Sequence, residues 1–85
     1  MKNGTLVKLT AETIECLAAI DVVFSENLFR VVDSRRGSVK VAPVSMRGNA
    51  PRAIVALGEL AGERIECDVD LSRAVEVFTD EVVAA

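Results

Sequence analysis

The chain has 85 residues, enough for one domain with a modest core and too few for a separate catalytic module, so residues 1–85 are expected to form a single domain. With 51% apolar and 27% charged residues it is too hydrophobic to stay disordered. Ten Lys and Arg stand against thirteen Asp and Glu, for a net charge of −3, and there is no histidine, which excludes Ser/His/Asp and Cys/His catalytic sets and an ordinary zinc site.

Residues 1–4 lead into a strand pattern and not into a signal-peptide core, and the apolar runs are interrupted within a few residues. A cytoplasmic protein without a membrane association is expected. Residues 5–9 (TLVKL) read as a strand. Thr10 or Glu12 opens a helix whose Cys16, Leu17, Ile20, Val23 and Phe24 recur at helical spacing. Residues 25–27 (SEN) break it, and residues 28–33 (LFRVVD) form a second strand. After a turn over 34–37, residues 38–42 (SVKVA) alternate Val39 and Val41 against Ser38 and Lys40, so the two runs are expected to make an antiparallel hairpin that stops at Pro43.

Residues 43–51 (PVSMRGNAP) carry two prolines, a glycine and an asparagine and read as a loop, with Asn49 and Pro51 leading into a short helix. That helix holds Ile54, Val55 and Leu57, and Gly58 or Gly62 ends it. Residues 63–70 alternate cleanly, with Ile65, Cys67 and Val69 on one face and Arg64, Glu66 and Asp68 on the other. Asp70 then caps a final helix with an apolar stripe of Leu71, Ala74, Val75, Phe78 and Val82. The expected order is βαββαβα, an α+β open-faced sandwich with a four-stranded antiparallel sheet and three helices on one face. Cys16 and Cys67 fall on apolar faces and are expected to be buried free thiols.

Within this order, Leu57-Gly58, then Gly62, then the alternating strand resemble the HPr-like family, the histidine-containing phosphocarriers of the bacterial sugar phosphotransferase system. A ferredoxin-like fold is the second candidate. The resemblance implies a phosphorylatable histidine at the start of the first helix beside an arginine. Here that position falls around Glu12 and Thr13, no histidine exists, and the neighbouring arginine position holds no cation, so the transfer chemistry is absent. It also implies partner contacts around the lost histidine, at Glu12 and Thr13, and around the second helix, at Met46, Arg47, Arg52 and Ile54. Ser45 is the nearest counterpart of a regulatory phosphorylation site found in some members.

The residues themselves add less. Glu12 and Glu15 sit in a first helical turn, where acids favourably meet the helix dipole and need no further role. No phosphate-binding glycine motif occurs. Between Arg30 and Arg52 there are six basic residues against Asp33 alone, but only Phe29 is aromatic there, so the stacking platform of an RNA-binding sheet is missing. The expectation is a non-enzymatic regulatory or protein-binding domain linked to the phosphotransferase system, without metal or cofactor. The alternative is a ferredoxin-like binding domain with no tie to sugar transport.

Overall fold

The computed structural model describes residues 1–48, 50–58 and 60–77. It contains β1 (Leu6–Leu9), α1 (Ala11–Ala19), β2 (Val22–Val23), β3 (Phe29–Arg35), β4 (Ser38–Arg47), β5 (Ala50–Ala53), β6 (Leu57–Gly58), β7 (Cys67–Asp70), a 3-10 turn (Leu71–Arg73) and β8 (Ala74–Glu76). In the first half, β1, the start of α1 and the β3–β4 pairing follow the sequence pattern. α1 nevertheless ends at Ala19, Ile20 is 67% exposed, and Val23, assigned to the helical stripe, lies in β2 and pairs with Leu57. Thr10 caps α1 with its side chain accepting from the Thr13 N–H, and β3 and β4 pair antiparallel across Gly37, whose φ of +79° favours a residue without a Cβ.

The four-stranded sandwich with three helices is not what forms. α1 is the one α-helix among the described residues, and a six-stranded antiparallel sheet runs β5-β4-β3-β1-β8, with β7 also paired to β4. Three local choices account for the difference. First, β4 does not stop at Pro43. On the edge away from β3, β7 pairs with β4 as far as Val41 and β5 takes over from Val44, so Pro43 sits at a seam where its missing donor costs little. Past that seam the other face of β4 is covered: Val39 and Val41 face one cluster, and Val44 and Met46, on the opposite face, the second.

Second, the expected helix around Ile54 is replaced by β5 and the β2–β6 ladder. Four apolar residues do not offset helix nucleation, and the β-branched Ile54-Val55 pair favours extended backbone. Gly58, at φ +76°, ends no helix but lies so close to Asp21 that a Cβ would fall 2.8 Å from the Asp21 carbonyl oxygen. Third, the expected last helix is the 3-10 turn followed by β8, because β1 has an open edge and a strand at 74–76 fills it. Ala74 turns inward at 7% exposure while Val75, assigned to the helical stripe, is 46% exposed. Phe78 and Val82 lie outside the described residues.

The sheet is rolled. β7 and β8 end the path β7-β4-β3-β1-β8, four strand spacings apart, or about 19 Å if it were flat. The 3-10 turn joins them, and four residue steps reach at most about 14 Å. Curling brings Val7, Leu9, Phe29, Val31, Val39, Val41, Val69 and Ala74 around one core. Ile14 and Leu17 of α1 pack on it from the unclosed side, and Phe24 meets Phe29 edge to face at 5.2 Å. A second cluster of Leu6, Leu28, Val44 and Met46 lies under the β4–β5 hairpin.

Candidate functional site

The β4–β5 hairpin organises the candidate site. Gly48, at φ +61°, begins the two-residue connection between the strands, and the register sets Ser45 opposite Arg52 and Arg47 opposite Ala50. Alternation then puts Ser45, Arg47, Arg52 and Ile54 on the outward face, while Val44 and Met46 point to the second cluster. With Ser25 as the opposite wall, these residues line an open groove of about 510 Å³. Ser45 Oγ donates to Glu26 Oε1 at 3.0 Å. Among the described residues, neither the Arg47 nor the Arg52 side chain has an ion-pair or hydrogen-bond partner. Two free guanidiniums therefore face solvent beside two serine hydroxyls and a single carboxylate.

The free edge of β5 is not a template for strand addition. Ile54 N–H donates to Pro43 O at 3.3 Å, so hydrogen-bonded pairs fall at Ser45–Arg52 and Arg47–Ala50, and Pro51 opposite Met46 turns its backbone away from β4. That edge lacks a donor at Pro51. The hairpin therefore presents side chains and not an open backbone ladder.

The structure separates the sequence candidates into two places and a core. Ser45, Arg47, Arg52 and Ile54 converge on the groove. Met46 is packed beneath it against Leu6, Leu28 and Val44. Glu12 and Thr13 are elsewhere, at the start of α1. Thr13 is 5% exposed and structural: its Oγ1 lies 2.7 Å from Thr10 Oγ1 and accepts from Arg73 Nη1 at 3.4 Å, tying α1 to the 3-10 turn. Thr13 lines a different recess of about 310 Å³ with Cys16, Leu17, Asp68 and Asp70. Ser25 and Glu26 were missed. Their place in the groove arises from the fold, whereas S-x-R and R-x-I on either side of Gly-Asn carried a legible signal, a two-residue hairpin presenting one face.

Cys16 is exposed and Cys67 half-buried, both as free thiols, so the expectation of two buried thiols fails for Cys16. Its place on α1 faces solvent because the helix buries the Ile14 and Leu17 side. Burial, and secondarily the Asp68 carboxylate, push the Cys67 thiol above its ordinary value. Among the described residues no helix is long and apolar enough to cross a membrane, and no three Cys, Asp or Glu side chains are grouped to hold a metal. Comparison of the chain with protein-family models, curated proteins and solved structures finds no match.

Proposed function

We propose that the chain is a non-catalytic docking domain that holds an acidic segment of a protein partner in the groove of Ser25, Ser45, Arg47 and Arg52. The observation that carries this is the pair of unpartnered guanidiniums on one face of the β4–β5 hairpin, in a chain whose net charge is −3. Guanidinium forks match carboxylates, and Arg is enriched where proteins meet. The serine hydroxyls add neutral donors. Pro51 favours side-chain docking over β-augmentation. The phosphotransferase link depended on an element order this chain does not have and forms no part of the proposal. Two free thiols suit a reducing compartment, and the cytoplasm is the setting proposed.

Fluorescence anisotropy with a labelled acidic peptide tests the reading. Each exposed ion pair contributes up to about 1 kcal/mol, and reversal replaces attraction by repulsion of similar size. The double variant Arg47→Glu/Arg52→Glu is therefore expected to weaken binding at least about tenfold, with an unchanged melting temperature. Added salt is expected to weaken the parent's binding as well. Equal affinity of parent and double variant would overturn the proposal.

A further inference from the structure

The edge of β4 changes partner at Ala42 and Pro43. β7 pairs with it as far as Val41, and β5 pairs with it from Val44 on. The Pro43 carbonyl accepts from Ile54 N–H at 3.3 Å and proline has no N–H, so the seam leaves no backbone group of Pro43 open. It does leave a hollow. The chain just after β5 and just before β7 flanks it, with Ile54 on one side and Ile65 on the other, and β3 supplies Arg30 and Val32, giving a recess of about 200 Å³. This recess is not part of the docking groove. Arg30 pairs with Ala42, and Ser45 stands three residues further along β4, so alternation sets the Arg30 and Ala42 side chains on the face opposite that of Ser45, Arg47 and Arg52.

The recess combines two kinds of lining. Val32, Pro43, Ile54 and Ile65 make its walls aliphatic, and no described aromatic residue lines it. Its charged residues are Arg30, Arg64 and Glu66, which together leave a single positive charge. Among the described residues, the Arg30 and Arg64 side chains have no ion-pair or hydrogen-bond partner. Arg30 is half-buried, where an unpaired guanidinium is costly and a carboxylate meeting its fork relieves that cost. The volume lies below the range of roughly 300–1,000 Å³ that holds drug-sized ligands. At about 30 Å³ for each water it equals about seven waters, which restricts the occupant to a short chain.

We infer that this recess binds a short aliphatic monocarboxylate, a free acid of about six carbons. Its carboxylate meets Arg30 and Arg64, and its alkyl chain lies against Val32, Ile54 and Ile65. One negative charge neutralises the recess, and the alkyl chain removes water from the aliphatic walls. A bare inorganic anion leaves those walls wet, and a neutral alkyl compound leaves the half-buried guanidinium unpaired.

The experiment titrates the isotopically labelled full chain with isocaproate and follows its backbone amide shifts. Acetate keeps the carboxylate without the chain, and isocaproamide keeps the chain without the charge. Saturable shifts are expected at Val32, Ala42 and Ile65 with Arg47 and Arg52 unmoved, and each control is expected to bind at least about tenfold more weakly. Arg64→Gln, at an exposed position before β7, is expected to weaken isocaproate at least about threefold. Binding of the amide and the melting temperature are expected to stay unchanged in that variant, which a merely structural role for Arg64 does not predict. Equal binding of the acid and either control, an Arg64→Gln variant that binds the acid as the parent does, shifts centred on Arg47 and Arg52, or no saturable shifts each overturn the inference. A peptide ending in Leu that binds the recess more tightly than the free acid overturns it as well. The docking proposal concerns the other face of the sheet and stands or falls separately.

Discussion

Asn27 shows how much one side chain does in this fold. Its Nδ2 donates to Leu9 O at 2.8 Å and its Oδ1 accepts from Leu9 N–H at 2.9 Å, so an amide side chain pairs with β1 as a neighbouring strand would. In the sequence Asn27 reads as a helix breaker, because its reach to a residue 18 positions away is a tertiary fact. Asn27→Ala removes both partly buried hydrogen bonds to the Leu9 backbone, at a cost of about 1 kcal/mol. A fall in melting temperature of at least about 4 °C is expected, and calorimetry checks it. The two cysteines provide a second residue-scale prediction. Cys16 is expected to react first with a thiol reagent at mildly alkaline pH, and Cys67 to follow slowly with its reactivity profile displaced upward, because burial and Asp68 disfavour its thiolate. The sign for stability follows. The folded chain holds the Cys67 proton more tightly than the unfolded chain, so this contribution is fully present below the ordinary thiol range and is lost as pH rises through it toward the raised value. A Cys67→Ala variant that loses no stability over that range relative to the parent identifies the group.

Elements were legible where local signals agreed. β3 and β4 announce themselves by β-branched runs on either side of an Arg-Gly turn, and α1 by its Thr cap, although its expected apolar stripe leaves Cys16 and Ile20 exposed and gives Val23 to β2. They were illegible where two periods fit the same letters. Leu71, Ala74 and Val75 satisfy a helical stripe, but Ala74-Val75-Glu76 also alternates, and the open edge of β1 decides between them. Pro43 hid the length of β4 in the same manner, since the seam that makes it harmless is formed by β5 and β7, both distant in sequence. Nuclear Overhauser contacts are expected between Val7 and Glu76 and between Leu9 and Ala74, the register partners of β1 and β8. A continuous series of sequential amide contacts over residues 74–77 in their place would restore a helix there.

On the scale of the whole molecule, the fold divides the run of basic residues between different places. Of the six basic residues between Arg30 and Arg52, Arg35 and Arg36 lie at the β3–β4 turn end, and Lys40 stands opposite Asp68. Arg47 and Arg52 gather at the other end on one face of the β4–β5 hairpin, while Arg30 and Arg64 line a separate recess. Reading the chain linearly found the basic segment and the Ser45 to Ile54 candidates but could not divide the segment between the two ends of the sheet. Family resemblance also pointed to Glu12 and Thr13, which the fold places at the start of α1, Thr13 lining another recess. The docking proposal is tested most directly by titrating the isotopically labelled chain with the acidic peptide and following backbone amide shifts residue by residue. Shifts concentrated on Ser45, Arg47, Arg52 and Ile54, with Thr13 and Cys16 unmoved, are the predicted result. Shifts centred on the Thr13 and Cys16 recess, or no saturable shifts at all, would contradict it.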